Sequence, residues 1–264
     1  MLLMRVLAIG DVCGSIGCNT LRKTLPKLKK QLNIDFTVIN GENSADGNGI
    51  TPESADMLFS CGADVITGGN HSLRRKEIQE MTEESRFLLR PHNLSEELPG
   101  KGYCLVDCGY TLVAVINLSG RVYLDSLAAS CPFEQADILI EQAKKDCAKI
   151  ILVDFHAEAT SEKRALGIYL DGKVSAFWGT HTHVQTNDAQ VLPNGTGYIT
   201  DLGMTGPIQS VLGVKSSIII SRFKNKNTNE KFVLAEGECM LNGCIFDIDK
   251  NTGLTTHIEP IIIR

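Results

Sequence analysis

The stretch that decides the fold is VLAIGD at residues 6–11, an apolar run that ends on a glycine and a carboxylate. The same arrangement recurs in FTVINGEN at residues 36–43 and in DVITGGNH at residues 64–71. Short apolar runs bounded by glycine predict buried strands, and the segments between these runs have helical spacing. Strands that alternate with helices in this way are typical of a parallel sheet with helical crossovers.

The segments between these strands predict two helices. Leucines recur at helical spacing over residues 18–32. Thr51 precedes Pro52, which predicts an N-cap followed by a proline at the first helical position. Downstream, the sequence predicts a hairpin over residues 103–118, a helix over 133–147 and a strand over 149–154. Further strands are predicted at residues 174–178, 196–200, 216–223, 231–238, 244–249 and 255–263.

The composition is that of a globular protein. Of the 264 residues, 43% are hydrophobic and 22% are charged, which is enough to bury a continuous core. No linker rich in proline, serine or glycine divides the chain, and the candidate site described below draws on both halves. The sequence therefore predicts one α/β domain over residues 1–264, with two sheets packed face to face and helices outside.

Charge and hydropathy restrict the partners. The formal net charge of -5 argues against long nucleic acids, because binding such polyanions requires a basic stripe that neutralises phosphates. The apolar opening lacks a basic n-region and a cleavage site, and no segment approaches the roughly 20 apolar residues needed to cross a bilayer. We therefore expect a cytoplasmic protein with a small ligand and no membrane partner. The oligomeric state is left open, and a homo-oligomer is compatible with the sequence.

The cysteines do not form a recognisable framework. There are nine, an odd number, and none of them forms a CxxC pair. Neither a disulfide pattern nor a zinc-ribbon spacing fits this scatter, so we expect reduced and mostly buried thiols.

Metal-competent side chains follow the predicted strands. In open α/β sheets, ligands bind beyond the carboxyl ends of the strands, so one edge of the fold should collect these side chains. They comprise two carboxylates, two carboxamides and four imidazoles, which are too many for one metal ion and about right for two. The set is Asp11, Glu42, Asn43, Asn70, His71, His156, His181 and His183.

These residue types indicate phosphoryl chemistry. Glu42 can bridge two ions with its two oxygens, and a bend between His181 and His183 can give one imidazole to each ion. Oxygen ligands mixed with imidazoles suit manganese, iron or zinc. Two ions about 3.5–4 Å apart can orient a phosphoryl group and hold a bridging hydroxide as nucleophile. His71 follows Asn70 directly and can protonate the leaving oxygen.

Structural explanations exist for each residue taken alone. Asp11 is compatible with a strand-end cap and Asn70 with an Asx-turn, and a lone histidine such as His92 or His257 is more often structural than a ligand. The recurrence of these residues after glycine at successive strand ends favours a site. A nucleotide loop at residues 10–14 is disfavoured, since GDVCG has neither the GxGxxG spacing nor a Lys-Ser/Thr pair.

Taken together, these motifs resemble those of the calcineurin-like metallophosphoesterase superfamily. The chain is most similar to the YmdB-like branch of bacterial cyclic-nucleotide phosphodiesterases, and the likeness covers essentially the whole sequence. The last three of the matching stretches are very specific. The stretches are GEN at residues 41–43, GNH at 69–71, DFHAEATSEK at 154–163, GTHTHVQT at 179–186 and DLGMTGP at 201–207.

The resemblance implies a four-layer α-β-β-α sandwich and hydrolysis of 2′,3′- or 3′,5′-cyclic nucleotides supported by two iron or manganese ions. Its residue pattern assigns Asp11, Glu42, Asn43 and His183 to the first metal. It assigns Glu42, Asn70, His156 and His181 to the second metal. His71 takes the role of proton donor.

Three positions depart from the family pattern. Cys13 stands where the superfamily has a histidine, Ser72-Leu73-Arg74-Arg75 replaces an aromatic and acidic sequence, and His92 replaces a small or apolar residue. We expect these changes to affect substrate preference more than metal binding. One hypothesis is that Arg74 and Arg75 favour a substrate with an additional phosphate.

The sequence therefore predicts a dinuclear metallophosphodiesterase that acts on cyclic nucleotides or related phosphodiesters. Two alternatives stay open. One is a phosphomonoesterase or nucleotidase on the same metal centre, and the other is a metal-loaded, nucleotide-binding regulatory protein with little turnover.

Overall fold

The structure is a computed structural model that describes residues 2–46, 48–224 and 230–264. Within these ranges, none of the helices has the length and apolar character that crossing a bilayer requires. The helices are α1 (Gly14–Gln31), α2 (Pro52–Cys61), α3 (Gln79–Glu84), α4 (Pro132–Lys145), α5 (Thr160–Tyr169) and α6 (Ser216–Lys224). The strands are β1 (Leu3–Ile9), β2 (Asp11–Val12), β3 (Phe36–Asn40), β4 (Val65–Thr67), β5 (Tyr103–Asp107), β6 (Leu112–Ser119), β7 (Ile150–His156), β8 (Ala176–Thr180), β9 (Gln190–Val191), β10 (Gly197–Ile199), β11 (Met204–Pro207), β12 (Ser210–Val211), β13 (Val214–Lys215), β14 (Cys239–Asp249) and β15 (Thr255–Ile263).

The first sheet has the strand order β2-β11-β14-β1-β3-β4, and β15 also pairs with β14. The strands β1, β3 and β4 run parallel, as the βαβαβ pattern predicts. The strand β14 lies between β1 and β15 and is antiparallel to both. The carboxyl ends of three neighbouring parallel strands therefore share one edge.

The second sheet has the order β5-β6-β7-β8-β10-β9. The four central strands are parallel, and antiparallel strands flank them on both sides. The predicted hairpin is present as β5 and β6. A separate two-stranded sheet, β12 with β13, completes the described strands.

Alternation of side chains along the strands divides the interior into three cores. In β1, Val6 faces the core between the two sheets, and Leu7 faces the core beneath α1 and α2. In β7, Leu152 faces the core between the sheets, and Val153 faces the core beneath α4 and α5. Successive residues of a strand point to opposite faces, so each sheet buries both of its faces. The layers are thus helix, sheet, sheet and helix, which confirms the predicted fold class.

The start of α2 has the predicted chemistry. The backbone N–H of Ser54 donates to Thr51 Oγ1 at 3.3 Å, and the backbone N–H of Thr51 donates to Ser54 Oγ at 3.0 Å. Pro52 follows the cap, where its missing N–H costs no helical hydrogen bond. This reciprocal capping satisfies donors that the first helical turn would leave unpaired.

Two of the predicted strands are wrong in their type of structure. Residues 216–223 are not a strand but belong to α6, and residues 231–238 contribute only a single bridge, between Leu234 and Val214. The isoleucine run suggests a strand because branched side chains favour strands. However, Ile218 and Ile219 are buried together while Ile220 is 53% exposed, a distribution that suits a helical face and not alternation. Packing of that face overrides local preference.

All nine cysteines are free, as expected, and five of them are buried. Burial raises the pKa of the Cys18 and Cys104 thiols to about 12. These thiols are therefore protonated at neutral pH and behave as small apolar side chains.

Candidate metal centre

The carboxyl ends of parallel strands from both sheets meet at one edge of the fold. Because each turn after a strand begins there, the polar side chains of these turns converge across the gap between the sheets. The structure brings together all eight side chains singled out in the sequence. Asp11 follows β1, Glu42 and Asn43 follow β3, Asn70 and His71 follow β4, His156 ends β7, and His181 and His183 follow β8.

One cluster surrounds the imidazole of His156. Its Nε2 lies 2.9 Å from Asn70 Oδ1, 3.0 Å from His181 Nδ1 and 3.3 Å from Glu42 Oε1. The ligand atoms of Glu42, His156 and His181 all lie within 4.8 Å of one another. A carboxylate, a carboxamide oxygen and two imidazoles facing one point form a donor set that suits a transition-metal cation.

A second cluster lies on the other side of Glu42. Asp11 Oδ1 is 3.5 Å from His183 Nε2, and Asn43 Nδ2 is 3.4 Å from the same nitrogen. Asn43 Nδ2 also donates to Glu42 Oε1 at 2.9 Å, so Glu42 contacts both clusters. This is the position that a bridging carboxylate needs.

The carboxamide of Asn43 presents its nitrogen to the second cluster, while its oxygen lies 2.9 Å from His71 Nδ1. An amide nitrogen is not a metal ligand, so binding through Asn43 requires a half-turn of the carboxamide that exchanges its two ends. The half-turn would also place the amide N–H group against His71 Nδ1.

His71 lines the cavity above Glu42. Its Nδ1 lies 3.3 Å from Glu42 Oε1, and its backbone N–H donates to Glu42 Oε2 at 2.8 Å. These contacts hold Nδ1 against the protein, whereas Nε2 has no hydrogen-bond partner among the described residues. The imidazole is thus fixed by one nitrogen and offers the other to a ligand.

The turn at residues 181–183 separates its two histidines. His181 joins the cluster around His156, and His183 joins the cluster around Asp11. Both adopt positive φ, 102° for His181 and 63° for His183, which costs a residue with a Cβ about 1–3 kcal/mol. The bend expected between them is therefore present, and it is a strained one.

Burial and charged neighbours shift the pKa values of the side chains in the two clusters. Burial alone would raise the pKa of the Glu42 carboxyl, but His156 and His71 outweigh it and hold that pKa well below its usual range. Burial would lower the pKa of His183, but the adjacent Cys13 and Asp11 raise it well above its ordinary value. Burial and the neighbouring His156 lower the pKa of His181 to about 4, which leaves an imidazole with a lone pair to donate.

The buried oxygens favour a cation here. Asp11 is fully buried, and its Oδ1 accepts no hydrogen bond within the described part of the chain. Such an atom is costly to bury unless a cation or donor compensates it. Because this oxygen faces the cluster with His183 and Asn43, the donor set fits a metal ion at the second cluster as well.

A buried carboxylate stands behind His156. Asp154 Oδ1 accepts a hydrogen bond from Thr180 Oγ1 at 2.8 Å, and Thr180 Oγ1 lies 3.0 Å from His156 Nδ1. Thr67 Oγ1 also donates to Asp154. Burial raises the pKa of Asp154 to about 6. This chain fixes the ring of His156, as the outer partners of metal-binding histidines do.

A buried ion pair supports the turn that bears His181 and His183. Lys163 Nζ on α5 lies 2.6 Å from Asp201 Oδ2, and both side chains are almost fully buried. Asp201 Oδ2 also accepts from the backbone N–H and the hydroxyl of Thr182, at 3.2 and 2.8 Å. The pair therefore ties the middle of the turn to a helix.

The cavity beside the clusters has a volume of about 300 Å³. Polar side chains that include His71, His181 and His183 line part of the cavity. A second part of the lining, which we call the apolar wall, consists of Leu212, Val214, Ile219, Phe232 and Leu234.

Comparison with known proteins gives the family. The model of the YmdB-like protein family matches residues 7–261. The chain belongs to the YmdB-like family. A 2′,3′-cyclic-nucleotide 2′-phosphodiesterase of Bacillus subtilis is 49% identical over 99% of this chain and 97% of its own. The predicted family is thus confirmed, and with it the prediction of an enzyme of the phosphodiesterase class.

Solved structures agree with the fold. A structure described as a novel phosphatase from Mycoplasma pneumoniae superposes with a TM-score of 0.93 at 32% identity, covering 100% of this chain and 94% of that one. A 5′-nucleotidase precursor of Thermus thermophilus gives a TM-score of 0.60 at 13% identity over 99% of this chain and 54% of that one. The second likeness supports the layered fold alone.

The positions that depart from the family pattern have defined contacts. Cys13 Sγ lies 3.6 Å from His183 Nδ1 and so contacts the nitrogen that faces away from Asp11. Arg75 donates to the backbone carbonyls of Asp46 and Asn48, at 2.5 and 3.0 Å. The arginine therefore holds a loop in place, which weakens the hypothesis of a phosphate contact from Arg75.

Some residues of the site escape sequence reasoning. The apolar wall comes from a segment without any spacing signal, and Glu158, whose Oε2 lies 3.0 Å from His181 Nε2, appears in the sequence only as part of a family motif. Asp154 did give a signal, because it is a carboxylate between Val153 and Phe155 in an otherwise apolar strand. His92 lies outside the cavity lining among the described residues.

Proposed function

We propose that this chain is a metal-dependent phosphodiesterase that hydrolyses 2′,3′-cyclic nucleotides at the two clusters joined by Glu42. The observation that carries the proposal is the convergence of Glu42, Asn70, His156 and His181 on one point beside His71. The Bacillus subtilis relative, named for the same reaction, supports the choice of substrate.

The ligand assignment follows from the two clusters. Asp11, Glu42, Asn43 and His183 would hold one ion, and Glu42, Asn70, His156 and His181 would hold the other. When bound, two such ions supply Lewis acidity at the phosphoryl oxygens and lower the pKa of water to give a nucleophile near neutral pH. Nitrogen and oxygen donors without thiolates favour iron or manganese, with zinc as a third choice.

His71 supplies the proton for the leaving group. The ribose oxygen that departs from phosphorus is a poor leaving group as an alkoxide, so a general acid beside it accelerates its departure. The contact from Glu42 to Nδ1 holds the ring with Nε2 directed into the cavity. After the half-turn that lets its oxygen bind the ion, the Asn43 carboxamide would place its N–H group against the same Nδ1 and keep the ring in this orientation.

The distribution of the proposed ligands over both sheets supports a single domain. Each of the two sheets contributes ligands, so separation of the sheets would dismantle both clusters at once. We therefore propose that residues 1–264 act as one domain, and that the protein works in the cytoplasm on a small phosphodiester.

A substrate panel tests the proposal. Protein supplied with Mn²⁺ or Fe²⁺ is assayed with 2′,3′-cyclic AMP, 3′,5′-cyclic AMP, bis(p-nitrophenyl) phosphate and p-nitrophenyl phosphate. We expect 2′,3′-cyclic AMP to have the highest kcat/KM, with about two metal ions per chain by elemental analysis. Turnover of p-nitrophenyl phosphate alone would favour the phosphomonoesterase, and nucleotide binding without product would favour the regulatory protein.

A further inference from the structure

The apolar wall is an unusual surface for a cavity that handles phosphates. Its five side chains carry no hydrogen-bonding group, yet they share one cavity with the imidazoles of His71, His181 and His183. Leu212 and Phe232 are about half exposed, at 52% and 51%, although both face the cavity. Exposed apolar surface within a concave site indicates a ligand with an apolar part.

Phe232 is held in place from two directions. The guanidinium of Arg222 lies 3.9 Å from the centroid of its ring, and Arg222 also donates to the backbone carbonyl of Glu230 at 2.5 Å. The backbone beside it is anchored, because the N–H of Lys215 donates to the carbonyl of Val233 at 2.9 Å. One face of the ring packs on a cation, so the ring keeps a defined orientation.

The cavity therefore combines two chemically different kinds of lining at a size that suits a small molecule. A volume of about 300 Å³ lies at the lower end of the range for ligand pockets. A cyclic nucleotide has the same division, with an anionic phosphate on a ribose and a flat base that stacks on aromatic rings. A protein partner would not enter a space of this volume.

We infer that the apolar wall is the base-binding part of the substrate site and that the base stacks on Phe232. The inference rests on the proposed function and deepens it by assigning the part of the substrate that does not react. Since the side chains of the wall offer no hydrogen bonds, they contact the flat face of the base and do not recognise the polar groups at its edge. Purine and pyrimidine substrates should therefore differ in KM by less than about tenfold.

Two substrates separate binding of the base from binding of the phosphate. One is adenosine 2′,3′-cyclic phosphate, and the other is methyl β-ribofuranoside 2,3-cyclic phosphate, in which a methoxy group replaces the base. We expect wild type to have a KM about tenfold lower for the adenosine compound. Phe232→Ala should raise that KM about tenfold, leave kcat unchanged and leave the KM of the base-free compound unchanged.

Matched variants control for general damage. Phe232→Trp should restore the low KM, and Phe232→Leu, which keeps an apolar side chain, should not. Phe223→Ala removes a ring of the same kind on α6 that is 84% exposed and does not line the cavity, so both KM values should stay at wild-type levels.

The results distinguish two failures. If wild type hydrolyses both compounds with equal KM, or if Phe232→Ala raises both KM values equally, the base site is wrong while the proposed function stands. If wild type hydrolyses neither compound in the presence of Mn²⁺ or Fe²⁺, the proposed function fails and the base site fails with it.

Discussion

The two halves of the cavity are built in different ways. The half with the imidazoles and carboxylates, here called the frame, stands at the ends of β1, β3, β4, β7 and β8, which are all paired within the two sheets. The half with the apolar wall, here called the cover, spans residues 208–224 and 230–235 and contains only the two-residue strands β12 and β13 besides α6. The proposed reacting groups thus stand at the ends of paired strands, whereas the surface proposed to select the substrate stands on a locally paired segment. Changes in the frame should therefore affect every substrate, and changes in the cover should affect only some.

The largest effect should come from His71, the proposed general acid of the frame. We expect His71→Ala to lower kcat for 2′,3′-cyclic AMP by about 10²- to 10⁴-fold, the range that general acid catalysis contributes. The loss should be smaller for bis(p-nitrophenyl) phosphate, because p-nitrophenolate leaves without protonation. His257→Ala, at an exposed position on β15, serves as the control and should leave both rates unchanged. Equal losses on both substrates would contradict a role in protonation.

Gly69→Ala should lower turnover of every substrate by damaging the frame itself. A Cβ at residue 69 would collide with the ring of His156 and with the carboxylate of Glu42. We expect metal affinity to fall by about 10- to 100-fold, as it does when the surroundings of ligands are disturbed, with a matching loss of turnover on all substrates. Metal titration followed by elemental analysis measures this. Gly237→Ala is the control: the added Cβ meets nothing within 4 Å although the φ of 109° strains the backbone, so it tests whether backbone strain at an exposed glycine has the same effect.

The ion pair beneath the frame should matter for stability. Lys163→Met leaves Asp201 buried without its countercharge, and we expect the free energy of unfolding in denaturant to fall by about 3–5 kcal/mol. Lys144→Met breaks an exposed pair with Glu141 on α4, and its cost should stay below about 1 kcal/mol. If the two variants lose the same stability, the turn at residues 181–183 does not depend on Lys163.

The smallest effect should come from the arginines beside the cavity. Arg75→Ala frees the carbonyls of Asp46 and Asn48 and should cost about 1–2 kcal/mol of stability, with at most a few-fold rise in KM for all substrates alike. Arg74→Ala is the matched variant and should be close to neutral. A KM rise confined to substrates with an additional phosphate, in either variant, would restore the hypothesis that these arginines bind phosphate.

Much of the frame can be predicted from the sequence, because its signals are local. The apolar runs before Asp11, Glu42 and Asn70 have the length of strands and end on glycine, and parallel strands bring their carboxyl ends to one edge. A bend between His181 and His183 is expected if the two imidazoles face different metal ions. The positive φ values of the two residues cannot be predicted in this way. What local signals cannot give is the orientation of Asn43, which depends on contacts with His71 and Glu42 across two loops.

The secondary structure and position of the cover are difficult to predict from the sequence, because they depend on contacts between distant parts of the chain. A run of isoleucines at residues 218–220 has a strong strand preference. The segment forms the helix α6 because one face of that helix is buried against the rest of the protein. The apolar wall likewise draws on residues 212–234, whose nearness to the imidazoles depends on how the segment folds back over the edge. The proposed metal ligands and the proposed general acid can therefore be predicted from the sequence more readily than the apolar wall, which is proposed to bind the base.

The position of β14 has a consequence for how the protein is made. This strand pairs with β1 over residues 3–9 and with β11 at its own beginning, yet it leaves the ribosome after every residue of the frame. Until residues 239–249 emerge, β1 displays an unpaired edge of the kind that recruits wrong partners, and nascent chains with such edges depend on chaperones. Slow translation before residues 239–249 emerge would therefore lengthen the period in which this chain is prone to aggregate.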